Sequence, residues 1–542
     1  MTYDQARDRE QLGALEAAIG LFINRYLSNP PDPNRQTIIL FPGGLGSRLV
    51  RADSPYQDEV PGQVFHYDTV WLDCSVLTGA ALDLQMANDI DTEEKFVLAD
   101  GYVDFPLMNI RPYNGFIQWC GQRNLDWFVF GWDWRRRPKH IVDFFLGTFL
   151  PTFRQRVQDA CSADPLARCT LLGHSFGGMI VKLIMNEANP LVDQMHRAVT
   201  VATPFYGYAG QLHRYFEGDP ELNFEGRARV TRVVSSLPGG YVLQFLDKDT
   251  YDRDRIALAA DANYPLHEYP SMDATNPAIV ADAYNPTTKG TKVRYPKNYG
   301  FLPNELVVAK SAYQKVAEPL TPAANAKFFN VRGIQFRNGA AINETINSVT
   351  WDWIPKNFNP DALTSSPVVD EAVCPGDGVI PAWSARLVST PQANVRTVEG
   401  DFEHMNIMNA EEIQNELANI LGLPQMMAMR RGRRRAPRGR SNKAIADRKE
   451  TLKFVRGLHA VRSRHRLASK LDQEQATRRY LAKYNISELR RFMGRAFVDA
   501  LKSPSQKLGT APTKTAPRSP SGGYRDDRSR NSAKTPKRKR KS

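Results

Sequence analysis

The sequence predicts an α/β protein with a mostly parallel central sheet, helices on both faces, and a long insertion in the middle of the alternation. Two observations carry the first part. Short apolar, β-branched runs that stop at glycine or proline recur along the chain, and helix-period stretches separate several of them. Strands that pair in parallel need a crossover to bring the chain back, so this alternation implies βαβ units whose strands are buried on both sides.

The first run is Thr37-Ile38-Ile39-Leu40-Phe41, ended by Pro42-Gly43-Gly44. Its apolar residues are continuous rather than alternating, as a strand covered on both faces requires. Similar runs follow at residues 126–130, 169–172, 198–201, 328–331 and 394–398. Helical periodicity covers Ile141 to Ala160, where Pro151 predicts a break, and Phe176 to Asn189. The last helix of this body, Ala410 to Leu421, has Gly422 and Pro424 as its stop signals.

The alternation fails between about Phe205 and Asn325, a stretch rich in Tyr, Pro and Asn and too long for a loop in a compact sheet. It reads as an inserted cap. A second insertion, about Arg48 to Arg111, separates the first strand's turn from the next clear strand, and no internal repeat is visible. The expected division is an N-terminal amphipathic helix and linker over 1–35, a first core part over 36–204, the cap or lid over 205–325, a second core part over 326–423, a basic helical extension over 424–502 and a disordered basic tail over 503–542.

With 542 residues, 42% hydrophobic and 24% charged, the composition is that of a globular protein large enough for a sizeable core. No uninterrupted apolar run approaches the roughly 18 residues a membrane span needs. The first thirty residues scatter their apolar groups among charges, which argues against a signal peptide. The five cysteines are odd in number and contain no CxxC pair, which suits a reducing compartment. A cytoplasmic protein, with peripheral membrane attachment as an option through its tail, is the expectation. The net charge of +14 conceals a division: residues 424–542 carry 35 Lys and Arg against 8 Asp and Glu, a net of +27, which leaves the rest of the chain at −13.

The chemistry centres on Gly173-His174-Ser175-Phe176-Gly177, which follows an apolar strand and opens a helix. A G-x-S-x-G in that context is a nucleophile elbow: flanking glycines permit a tight turn that lifts the serine hydroxyl clear of the sheet, and the Phe176 N–H points toward a bound carbonyl. A second oxyanion donor should come from the turn after an earlier strand, and Pro42-Gly43-Gly44-Leu45-Gly46 offers Gly44. In α/β-hydrolases the acid and histidine follow the serine in that order. Asp377, bracketed by Gly376 and Gly378, is the candidate acid, with Asp352, Asp361 and Asp370 as rivals. His404 is the candidate base, since it lies between a strand and the final helix and is the last histidine before the basic tail. It would take the serine proton and return it to the leaving group, with the acid holding its tautomer. No cofactor or metal is implied.

These motifs, together with Trp132-Asp133-Trp134-Arg135-Arg136-Arg137-Pro138, Ala202-Thr203-Pro204-Phe205-Tyr206-Gly207 and the Ser235 to Leu246 stretch, occur in the order seen in the lecithin:cholesterol acyltransferase family, which includes lysosomal phospholipase A2 and phospholipid:diacylglycerol acyltransferase. Over residues 36–422 the chain resembles that family. The resemblance implies a capped α/β-hydrolase, a covalent acyl-serine intermediate, a lipid or other ester as donor, a Ser175–Asp377–His404 triad and an oxyanion hole from Gly44 and Phe176. The Trp132/Trp134 pair with Arg135 also has a purely structural reading. Extracellular members carry a signal sequence and a cysteine-bridged lid, neither evident here, and Val379-Ile380 stands where Thr-Val is commoner.

The leading function is therefore serine acyl-hydrolase or acyltransferase on lipid esters. The opposing class is a non-catalytic hydrolase-like protein whose tail binds nucleic acid or a protein partner. The tail itself, from Arg430-Arg431-Gly432-Arg433-Arg434-Arg435 to Lys537-Arg538-Lys539-Arg540-Lys541, suits a solubilising extension, an anionic membrane surface or nucleic acid, and the sequence leaves the three open.

Overall fold

A computed structural model describes residues 35–51, 69–71, 97–99, 101–103, 110–161, 164–211, 236–243, 248–266, 303–351 and 368–424. The N-terminal helix, the basic extension and tail, and much of the insertion expected over 205–325 lie outside the described residues. The first strands in chain order are β1 (Thr37–Phe41), β2 (Leu49–Arg51), β3 (Thr69–Trp71), β4 (Val97–Ala99), β5 (Asp126–Val129) and β6 (Cys169–His174). They are followed by β7 (Arg197–Val201), β8 (Phe328–Arg337), β9 (Ala340–Ala341), β10 (Thr345–Trp351), β11 (Val368–Cys374) and β12 (Val395–Gly400). The longer helices are α1 (Asn114–Gln122), α2 (Pro138–Phe144), α3 (Leu150–Cys161), α4 (Phe176–Asn186), α5 (Lys248–Ala259), α6 (Pro303–Ala317) and α7 (Glu411–Leu421).

The main sheet has the order β5-β1-β6-β7-β8-β12, every pair parallel, with β9 folded antiparallel onto β8. The fold is thus mixed α/β with a mostly parallel sheet. Its strands alternate between two cores. Ile39, Phe41, Phe128 and Leu171 join one apolar cluster with residues of α2, α3 and α4. Ile38, Leu40, Val129 and Leu172 join the opposite cluster with Phe116 and Trp119 of α1 and Ile413 and Leu417 of α7. Because β1 buries all five residues, its unbroken apolar composition follows directly.

The order also fixes where a site can form. After β1 the chain goes to β5 on one side, then returns to β6 on the other, and the turns leaving β1 and β6 diverge over the carboxyl edge. Such a switch point opens a crevice at the carboxyl ends of the strands. Phe41 pairs with Gly173 and His174 with Val201, so the segments that follow β1, β6 and β7 emerge side by side.

The structure refines several expectations. Pro151 does not break the helix from Ile141. The chain instead makes a π-turn over Phe145–Phe149 and resumes as α3, with Pro151 in its first turn. A proline without an N–H removes one i→i−4 bond, and the wider turn just before it absorbs the loss. The helix expected to reach Asn189 ends at Asn186; Glu187 is extended, and the Asn189 side chain accepts from Leu191 N–H to start a separate short turn. The insertion after β1 contains a small antiparallel sheet, β3-β2-β4, and Asp370 lies in an unforeseen antiparallel hairpin, β10–β11, opposite Thr350. Asp352 and Asp361 lie outside the described residues.

Polar bonds join the described pieces of 205–325 to the core and to one another. Arg137 donates twice to Glu305 of α6 at 2.8 and 2.6 Å, and Tyr206 donates to Asp254 of α5 at 2.8 Å. Lys182 of α4, fully buried, donates to Asn186 at 2.6 Å and to the Glu318 carbonyl at 2.8 Å, and burial pushes its amine down to about 7. Arg332 and Arg386 share Asp261 at 2.7 and 3.0 Å. Cys120, Cys169 and Cys374 are buried free thiols. Among the described residues no helix is long and apolar enough to cross a membrane.

Candidate active site

Ser175 stands alone between β6 and α4 at φ 53°, ψ −126°, a conformation that side-chain-bearing residues seldom adopt. The strain is of the order of 1–3 kcal/mol and must be met by its surroundings. The surroundings here are backbone packing. A Cβ on Gly173 would lie 2.5 Å from Gly178 Cα, and one on Gly177 would lie 2.2 Å from the Phe41 carbonyl oxygen. The Ser175 N–H donates to the Val201 carbonyl at 2.9 Å, and the Gly178 N–H to the Ser175 carbonyl at 2.9 Å. Glycine at these places lets α4 start against the ends of β1 and β6, which leaves the serine no other course than the sharp turn. Gly177→Ala is expected to cost about 3 kcal/mol, the upper range for overpacking, because a backbone carbonyl cannot rotate away. Urea denaturation checks it; an unchanged midpoint would show that the helix start has slack.

His404 follows β12 and opens a short 3-10 turn, and Asp377 sits in the turn after β11. The Ser175 hydroxyl lies 2.9 Å from His404 Nε2, and His404 Nδ1 lies 2.6 Å from Asp377 Oδ2. A carboxylate can only accept, so Nδ1 carries the proton and Nε2 is left to accept from the serine. Asp377 Oδ1 accepts from the Val379 and Ile380 N–H groups at 3.1 and 2.7 Å, which fixes the carboxylate's orientation. Its side chain is 1% exposed, against 11% for His404. The acid turn is closed by a bridge between Gly376 and Pro381, by Gly378 N–H to Thr345 at 2.9 Å, and by Gln335 N–H of β8 to the Gly376 carbonyl at 2.7 Å. The backbone N–H of His404 donates to the Asp377 carbonyl at 2.8 Å, so acid and base are joined by backbone as well as side chain.

The glycine turn after β1 lies against the elbow. A Cβ on Gly43 would sit 2.9 Å from Ser175 Cβ, and one on Gly44 would touch Phe176 and Leu243 at 3.6 and 3.8 Å. Among the described residues neither the Gly44 nor the Phe176 N–H has a hydrogen-bond partner. The Trp-Asp-Trp-Arg segment holds this turn. Trp132 Nε1 donates to the Pro42 carbonyl at 3.0 Å, its ring meets Phe176 edge-on at 4.9 Å, and Trp134 Nε1 donates to the Ser47 carbonyl at 3.3 Å. Arg135 grips Asp133 through two bonds of 2.8 and 2.7 Å. Burial alone would raise the Asp133 carboxyl, but Arg135 and Arg136 outweigh it and hold it below its ordinary value. The structural reading of this segment is therefore the one observed.

Two residues of the site were not singled out from sequence. His174 is buried, and its ring lies 5.0 Å from that of His404. Tyr113, at the start of α1, is buried beside it with its hydroxyl 2.9 Å from His174 Nδ1. His174 was visible inside the elbow motif, whereas nothing local marks Tyr113. Among the described residues no group of three or more His, Cys, Asp or Glu is arranged to hold a metal ion.

No family model and no curated protein matches the sequence. Among solved structures the chain is similar to one titled "The crystal structure of Tle4-Tli4 complex", at 13% identity, with 72% of this chain and 100% of that chain covered and a TM-score of 0.43. A likeness of that depth carries no inference about activity. The structure itself defines an α/β protein with a mostly parallel sheet, in which a strained serine, a histidine and a buried carboxylate meet at the carboxyl edge.

Proposed function

We propose that this protein is an α/β-hydrolase that acts on lipid esters as a serine acyl-hydrolase or acyltransferase, in keeping with the lecithin:cholesterol acyltransferase resemblance. The observation that carries the reading is the continuous hydrogen-bond line from Ser175 through His404 to Asp377, with the serine on a strained elbow. In the proposed reaction the Ser175 oxygen bonds to the ester carbonyl carbon as its proton passes to His404 Nε2. The Gly44 and Phe176 N–H groups meet the negative charge that develops on the carbonyl oxygen. Collapse expels the alcohol, which takes the proton back from His404, and leaves an acyl-serine. Water or a second alcohol then attacks that ester with His404 again as base.

An apolar acyl chain is supported by what borders the reacting groups. Leu243 approaches Gly44, and Tyr208, Ile380 and Ala385 form an apolar cluster with Leu243 and Val379, directly after the acid turn. The described parts of 205–325, joined to the core through Arg137, Lys182 and Arg332, are proposed as the fixed base of a cap. Purified protein incubated with phospholipids and acylglycerols, with and without acceptor alcohols, and followed by product mass spectrometry tests the reading. Released fatty acid or a new ester supports it; intact lipids throughout would refute it.

The proposal extends to the basic tail. A segment of net +27 attached to a body of net −13 should draw the enzyme to anionic lipid, at about 1 kcal/mol per basic group near the surface. Removal of residues 424–542 is expected to abolish sedimentation with anionic vesicles at low salt while leaving hydrolysis of a dispersed neutral ester within about twofold. Salt should weaken the full-length protein's binding, since screening acts over about 10 Å at 0.1 M. Equal sedimentation of the two forms would exclude a membrane role, and a preference for nucleic acid at matched salt would replace it with the other partner.

A further inference from the structure

A single hydrogen-bonded chain links the glycine turn to the backbone of His404, and its polarity can be read end to end. The Gly43 N–H can only donate, and it does so to the Tyr113 hydroxyl oxygen at 2.7 Å. The His404 carbonyl can only accept, and it lies 3.2 Å from His174 Nε2, so that nitrogen carries the proton. His174 Nδ1 is then a bare acceptor, and the Tyr113 hydroxyl donates to it at 2.9 Å. Every member is spent in one direction. Tyr113 and His174 are 1% and 3% exposed, and the two bonds made by the Tyr113 hydroxyl are buried.

We propose that Tyr113 and His174 are positioning residues of the reaction: they set the orientation of the oxyanion turn and of His404 together. This rests on the reading of Ser175 as nucleophile. The turn wraps the phenol closely, since a Cβ on Gly46 would lie 2.8 Å from the Tyr113 hydroxyl oxygen. Fixing the Gly43 N–H on that oxygen fixes the Pro42–Gly43 peptide, and the Gly46 N–H, donating to the Gly43 carbonyl at 2.9 Å, fixes the next peptide, whose N–H is that of Gly44, the proposed donor. At the other end His174 holds the His404 carbonyl while Asp377 holds its N–H, and the imidazole is carried on a backbone anchored on both sides.

The arrangement also answers an electrostatic need. His404 becomes a cation during the reaction, with the His174 ring 5.0 Å away. A second cation there would oppose it. Burial, reinforced by the neighbouring His404, holds His174 well below the usual histidine range, so it stays neutral. Without the Tyr113 hydroxyl, the Gly43 N–H and His174 Nδ1 both lose the buried partner that joins them, and the His174 ring is held at its Nε2 end alone. The glycine turn and the His404 carbonyl are then no longer registered to each other through one chain of bonds.

The test uses the full-length protein, a fluorophosphonate as probe and three variants: Tyr113→Phe, His174→Leu and His174→Gln. The measured quantity is the rate of covalent labelling of Ser175, together with the thermal midpoint of each protein. Tyr113→Phe and His174→Leu are expected to slow labelling about 10- to 100-fold, the scale of a small misplacement of a reacting group. His174→Gln, whose side-chain amide can still donate to the His404 carbonyl, is expected to recover to within about fivefold of the wild-type rate. A purely structural role would lower the thermal midpoint and leave the labelling rate of folded protein unchanged; that result, or equal rates for His174→Leu and His174→Gln, overturns the proposal. Should His174→Leu not fold, a wild-type labelling rate in Tyr113→Phe overturns it alone. Failure of the wild-type protein to label at Ser175 would instead refute the nucleophile, a separate and distinguishable outcome.

Discussion

Ser175→Ala is expected to abolish ester turnover, a loss of about 10⁴- to 10⁶-fold, with no loss of fold. Among the described residues the hydroxyl makes one hydrogen bond, to His404 Nε2, and the elbow is shaped by backbone: the Val201 carbonyl, the Phe41 carbonyl over Gly177, and the close approach of Gly173 to Gly178. Alanine can keep all of it, strain included. Glycine at the same position would relieve the strain, because it reaches positive φ freely. Ser175→Gly should therefore be as inactive as Ser175→Ala and more stable than it by about 1 kcal/mol or more. His404→Ala should fall nearly as far as Ser175→Ala, and the double variant little further, since the two groups act on the same proton. Kinetics and urea denaturation of the set check it. Additive losses in the double variant, or retained turnover in Ser175→Ala, would contradict the assignment.

Asp377→Asn is expected to lower kcat by about 10⁴-fold while the protein stays folded. Oδ1 of Asp377 accepts from two N–H groups, Val379 and Ile380, and Oδ2 alone faces His404. An asparagine would keep its oxygen on the two donors and turn its NH₂ toward His404 Nδ1. Nδ1 would then have to accept, the imidazole proton would move to Nε2, and the base would present a donor to a serine that needs an acceptor. Near-normal activity in Asp377→Asn would remove the acid role from this residue.

Much of this was legible in the sequence because it is local. Thr37 to Phe41 reads as a buried strand because all five side chains are buried, and the elbow reads from glycines that sit where a Cβ would strike backbone. Asp377 and His404 were reachable through chain order and flanking residues; of the rivals, Asp370 lies in the β10–β11 pair, while Asp352 and Asp361 lie outside the described residues. What sequence did not reveal depends on pairing across space. Tyr113 carries no local mark, since its role comes from the approach of α1 to the turn after β1. The hairpin β10–β11 escaped notice because Thr345–Trp351 mixes Thr, Asn and Ser into an apolar pattern, and Val368–Cys374 carries two acids. Strands β2, β3 and β4, each three residues long, are too short for periodicity to register. Pro151 marked a real disturbance, but the chain met it with a π-turn one step upstream rather than a break.

Ser175, as a nucleophile activated by His404, is open to direct chemical capture. The most direct measurement is to treat the protein with a fluorophosphonate, digest it, and locate the adduct by mass spectrometry. A stoichiometric adduct on Ser175 is expected in the wild-type protein, strongly slowed in His404→Ala and absent in Ser175→Ala. An adduct on another residue, or none on folded wild-type protein, would contradict it.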